Sequence, residues 1–111
     1  MDKLEHYRQI IEDTLNEYAA IPYAYGDMAG HTVFDREKDS YLLMTVGWDD
    51  ERRIHGCLIH IDILNEKIWI QRDGTEDGIA TELVAAGVPK SDIVLAFHHP
   101  EIRQHTEFAF A

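Results

Sequence analysis

Between His31 and Arg72 the chain offers four strand-like runs with almost nothing between them: "HTVFDR", "YLLMTVGWD", "RIHGCLIHIDIL" and "KIWIQR". The polar turn "EKDS" joins the first two, "DDER" leads into the third, and only Asn65-Glu66 separates the last two. Parallel neighbours need a crossover of about a dozen residues or more, so connections this short impose antiparallel hairpins. The region is therefore expected to form a four-stranded meander, and everything else must cover it. Side chains alternate along a strand, which places His55, Cys57, Ile59, Ile61 and Ile63 on one face of the third run. That face is the expected core side, with Ile54, Gly56, Leu58, His60 and Asp62 opposite.

Residues 2–20 carry the clearest helical period. Leu4, Tyr7, Ile11, Leu15 and Tyr18 share a face, and Asp2 and Glu5 have the spacing of a capping box. Such a helix is about 28 Å long, enough to cross a small sheet. "IPYAYGDMAG" then breaks the pattern with a proline and glycines. Further on, Ile79, Leu83 and Val84 mark a second helix that stops at Gly87 with Pro89 beyond. "DIVLAF" is too short to assign by period, and residues 93–97 are left as either strand or buried helical turn. "HHPEIRQHT" reads as a short helix after Pro100, and "EFAFA" as a tail that packs back. The expected fold is α+β: an N-terminal helix, a four-stranded antiparallel meander, then a C-terminal helix and an irregular segment, in one domain over 1–111.

Charge narrows the function. The 111 residues carry a net −11, divided as −4 over 1–30, −2 over 31–72 and −5 over 73–111. Nucleic-acid binding draws its affinity from lysine and arginine against phosphate, so direct duplex binding is disfavoured and a protein partner is easier to accommodate. The start "MDKLEHYRQII" is charged from its second residue, unlike a signal peptide, and no run approaches the ~20 apolar residues of a membrane span. Cys57 is the single cysteine, so no internal disulfide is possible and a reducing, cytoplasmic setting is expected.

The loop "RDGTEDGIATEL" invites three readings. A phosphate cradle fails for want of a lysine and because Asp73, Glu76 and Asp77 would repel the anion. A helix cap fits: Asp73 as N-cap with Glu76 reaching back to its amide, or Thr75 as the cap with a later start. His55 and His60, an odd number of residues apart in one strand, point to opposite faces unless a bulge intervenes. His98, His99 and His105 show no HExxH or His-x-His spacing. No metal, cofactor or catalytic residue is expected, there is no GxSxG elbow, and Cys57 in a strand interior is a poor nucleophile. An acid–base pair drawn from His60, Asp62, His98 and Glu76 remains the enzymatic alternative.

The stretches "HYRQIIEDTLNEYA", "VGWDDERRIHGCLIHIDI" and "KIWIQRDGTEDGIATELVAAGVPKSDIVLAFHHPEIRQHTEFA" resemble the XisI family of cyanobacterial excision-controlling factors, from about Leu4 to Ala109. "YAYGDMAGHTVFD" is where family members differ most. The resemblance implies a non-enzymatic accessory protein in heterocyst DNA-element excision, acting with an XisH-like partner while a separate site-specific recombinase cuts. XisH-like proteins resemble restriction-type nucleases, so an inhibitor or antitoxin role towards such a partner is the implied alternative. By residue type, Trp48, Arg53 and Arg103 are the candidate partner contacts. Both tryptophans lie in strands and fit a core better than a surface, which makes Arg53 and Arg103 the stronger surface candidates, and Arg103 has Asp92 or Glu101 as alternative structural partners. A homodimer through an open sheet face or edge is a further expectation.

Overall fold

The structure, a computed structural model, describes residues 2–22 and 27–111. The break expected in "IPYAYGDMAG" thus lies partly outside the described residues. Helix α1 (Lys3–Ala19) leads to strands β1 (Asp27–Asp35), β2 (Ser40–Asp49), β3 (Arg52–Leu64) and β4 (Lys67–Asp73). Helix α2 (Ile79–Ala85), a short 3-10 turn, strand β5 (Ile93–Leu95) and the single turn α3 (Pro100–Arg103) complete the chain.

The meander forms in the expected order, with β1, β2, β3 and β4 antiparallel neighbours in turn. Asn65 and Glu66 both have positive φ, as a two-residue hairpin requires. The strand count is corrected from four to five. Residues 93–95 add to β4 in parallel, made possible by the α2 crossover, and settle the open assignment as strand. β1 also begins earlier than expected, at Asp27 rather than His31. The tail packs back: Ala109 donates its amide to the Ile93 carbonyl at 2.8 Å, beside the free side of β5.

Both longer helices cover the same face of the sheet. Tyr7, Ile11 and Leu15 from α1 and Ile79 and Leu83 from α2 are buried against Tyr41, Leu43, Ile59, Ile61, Ile68, Ile70 and Ile93. Leu4 and Tyr18 close the ends of the α1 stripe, as its period predicts. Asp2 caps α1 through the Leu4 amide at 3.1 Å. Glu5 does not complete the box; it joins Glu12 in gripping Arg36 from the β1–β2 turn. A second clamp sets Arg8 on Asp39 at 2.7 Å, with Tyr41 donating to the same carboxylate. The Arg8 hydrogen bond holds the Asp39 carboxyl below its usual range. Tyr7 does likewise to Asp92, tying α1 to the start of β5. These links fix α1 to the sheet at both ends of the helix's first half.

Gly47 ends the closely paired part of β1 and β2. Its φ is +155°, and a Cβ there would stand 2.0 Å from the Asp27 carbonyl oxygen and 2.6 Å from Met28 Cα. Backbone, not a movable side chain, occupies that space. Gly47→Ala is expected to destabilise the fold by about 3 kcal/mol or more, read from urea unfolding, because β1 must move to admit a methyl group. An unchanged midpoint would contradict this close approach.

Candidate interaction surface

Among the described residues, nothing packs over most of the sheet face opposite the helices. Its composition follows from the register. Val33, Leu42 and His60 lie in one row, His31, Met44 and Cys57 in the next, Ala29, Val46 and His55 in a third, and Asp27, Trp48 and Arg53 in a fourth. Directly opposed residues of antiparallel strands project to the same side, so these rows make one continuous surface. Val33 is 50% exposed and Trp48 47%, large values for side chains of this size in strands. Trp48 is therefore a surface residue, against the core reading of its strand position.

Two bulges shape this face, and the first overturns an alternation-based expectation. In β3 the pairing slips between Leu43 and Met44, leaving Leu58 without a β2 partner. Leu58 turns to the helix side and packs against the core. From Cys57 to Arg53 every side chain then swaps faces. His55 and Cys57 consequently leave the core face on which Ile59, Ile61 and Ile63 stay. The same slip puts His55 and His60 on one face. They remain four β2 positions apart, about 13 Å at strand rise, too far to share a metal ion. No group of three potential ligands comes together among the described residues.

The second bulge lies in β4, where Gln71 is skipped between Ile70 and Arg72. It turns Asp73 towards the helices. Asp73 Oδ2 accepts the Ile79 amide at 2.8 Å and Oδ1 accepts the Thr75 amide at 2.9 Å and its hydroxyl. The capping role of the loop holds, but its geometry is corrected. Asp73 is the last residue of β4 and caps a helix that starts six residues later, with Gly78 at φ +88° in the N-cap position. Glu76 is exposed, and among the described residues it makes no return bond to the Asp73 amide. Thr75 serves by bonding Asp73, not by capping the helix itself.

Around Trp48, the Arg53 guanidinium lies 5.2 Å from the ring and donates to the Gly47 carbonyl at 3.3 Å. The pair forms one flat, amphipathic unit at the exposed end of the β2–β3 hairpin. Arg103 is differently placed. It donates to the carbonyls of His98 and Ala96 and lies 5.6 Å from the Trp69 ring, so it fastens the C-terminal segment across the β4 end of the sheet. Neither Asp92 nor Glu101 is its partner. Trp69 in turn donates its indole N–H to Leu64.

The acid–base alternative meets a specific geometry. His60 Nε2 lies 2.9 Å from Asp62 Oδ1 and 3.4 Å from Ser40 Oγ, and Ser40 itself donates to Asp62 at 2.7 Å. One ring nitrogen faces both groups. A serine relay needs the hydroxyl on one nitrogen and the carboxylate on the other, so this cluster is a hydrogen-bonded network rather than a triad. His99 caps α3 through the Glu101 amide, and His98 stacks on Phe97. Burial raises the Cys57 thiol pKa, which leaves it a weak nucleophile.

The XisI protein family model matches residues 1–110. The chain belongs to the XisI family. Its fold superposes on the crystal structure of the fdxN element excision controlling factor XisI from Anabaena variabilis with a TM-score of 0.84 and 39% identity, covering 99% of this chain and 100% of that one. A XisI-like protein from the same organism gives a TM-score of 0.88 at 36% identity with the same coverage. Comparison with curated proteins gives no match. No helix among the described residues is long and apolar enough to cross a membrane.

The two bulges left traces in the sequence. "CLI" interrupts alternation with three apolar residues in a row, and "QR" interrupts β4 with two polar ones. The cap offers a clean test. Asp73→Ala is expected to cost about 1–2 kcal/mol of stability in urea unfolding, and Glu76→Ala close to nothing. Equal losses would restore the capping box.

Proposed function

We propose that this XisI family member is a regulatory accessory protein in the control of DNA-element excision, working by contact with another protein through the outer face of its sheet. The observation that carries the reading is the uncovered apolar field around Met44, Val46 and Trp48. Three strands spaced about 4.8 Å apart and eight residues at about 3.3 Å each give a footprint of about 380 Å² per partner, the scale of a small, transient contact. Exposed aromatic and arginine side chains such as Trp48 and Arg53 are the types that anchor such contacts.

The partner proposed is an XisH-like protein, with strand cleavage left to a separate recombinase. Charge supports a protein rather than a duplex. Acidic side chains gather on α1, on the 73–77 loop and at the Asp49–Glu51 hairpin tip, while the outer face mixes Arg53, Arg72 and three histidines with Asp27, Asp35 and Asp62. The face is thus close to neutral on a chain of net −11, so apolar contact rather than charge carries the approach of a protein partner. The second reading, inhibition of a nuclease-like XisH partner, uses the same face and differs only in what the complex does.

Co-expression with the XisH-like protein and size exclusion tests the reading. One co-eluting peak is expected, and Val46→Glu should abolish it while leaving the thermal midpoint within a few degrees, because that side chain points to solvent. Two separate peaks at micromolar concentration, or a complex indifferent to Val46→Glu, would remove this face as the contact.

A further inference from the structure

We propose that the open edge of β3, from Arg53 to Cys57, takes up an extended acidic segment of a partner polypeptide as an added strand. The inference rests on the reading above and deepens it by naming the partner's chemistry at a second part of the contact.

β4 pairs with β3 only from Ile59 to Leu64, because the chain leaves the sheet at Asp73. Gly74 still donates its amide to the Leu58 carbonyl at 2.8 Å; from Cys57 to Arg53, β3 has β2 on one side and, among the described residues, no strand on the other. Cys57 sends its carbonyl to the open side, where Arg72 Nε donates to it at 2.7 Å. Strand alternation then turns the backbone groups of His55 and Arg53 the same way, presenting N–H and C=O pairs to an incoming strand. An open groove of about 500 Å³ runs along this edge, lined by β3 residues 52–58 and Thr45. A Cβ added to Gly56 would meet nothing within 4 Å, so the helix-side face beside this edge is also open there.

Exposed edges are commonly blunted by charges that lie across them. Here the guanidinium of Arg53 is drawn aside over Trp48, and that of Arg72 is fixed on Cys57. Neither is ion-paired with a carboxylate among the described residues, whereas Arg8, Arg36, Lys3 and Lys90 all are. The edge is thus open and carries two cations without a carboxylate partner, set between the acidic Asp49–Glu51 hairpin tip and the acidic 73–77 loop. The outer edge of β1 differs: its two ends are Asp27 and Asp35. Self-pairing of two β3 edges would set Arg53 and Arg72 against their own copies, so charge selects an anionic strand over a second copy.

A backbone amide NMR titration of the full chain tests this, with a short synthetic peptide alternating glutamate and valine as probe and its lysine counterpart as control. Saturable shifts at Arg53, His55 and Cys57 are expected with the glutamate peptide alone. His55→Pro should abolish them by removing an edge donor. Should that variant misfold, Arg53→Glu with Arg72→Glu, both exposed, should weaken binding by about tenfold or more. No shift, an equal response to the lysine peptide, or edge shifts that grow with protein concentration before peptide is added would each overturn the proposal, the last by assigning the edge to a second copy. A partner complex that survives with this edge silent would leave the outer-face reading standing while this one falls.

Discussion

The structure depends on one-sided burial of its sheet. Two helices are available, both cross the same face, and the isoleucines of β3 and β4 point only there. Antiparallel sheets tolerate a solvated face when that face is polar. This one is only partly so: Val33, Leu42, Met44, Val46 and Trp48 remain on the uncovered side among its histidines, arginines and aspartates. A fold that needs one face buried for stability has left apolar surface on the other, where it contributes nothing to the core. That surplus is the physical basis for reading the molecule as a component of a complex.

The bulges convert a simple meander into this arrangement. Skipping Leu58 returns a large apolar side chain to the core and moves His55, Cys57 and Arg53 outward beside Trp48. Skipping Gln71 carries Asp73 to the helix side, where its carboxylate anchors α2, and ends β4 early. The early end of β4 is what leaves the β3 edge unpaired. Stability of the second helix and accessibility of the strand edge thus come from the same residue insertion.

Much of this was legible in the sequence for reasons that can be named. Short polar connections dictated the antiparallel order, the Asn65-Glu66 pair dictated a tight hairpin, and the Leu4–Tyr18 stripe dictated a helix lying on the sheet. What escaped notice involves long-range pairing. β5 is three residues long, too short for any period, and it exists only because β4 offers an edge. The faces of Cys57, His55 and Asp73 depend on bulges that alternation by itself cannot place. Trp48 reads as core from its strand position, and only the register puts it outside. The family resemblance, by contrast, was carried end to end by motifs such as "GCLIHIDI" and "KIWIQRDGTE", which the fold shows to be the bulged β3 and the β4–α2 junction.

The account stands or falls on whether Trp48 is covered when the protein is at work. Fluorescence of the Trp69→Phe variant, mixed with the XisH-like protein and corrected for that protein's own tryptophan emission, reports on that ring. A blue-shifted emission with loss of quenching by acrylamide is the predicted result. A complex that forms while Trp48 stays red-shifted and fully quenchable would show that the partner sits elsewhere and contradict the central claim.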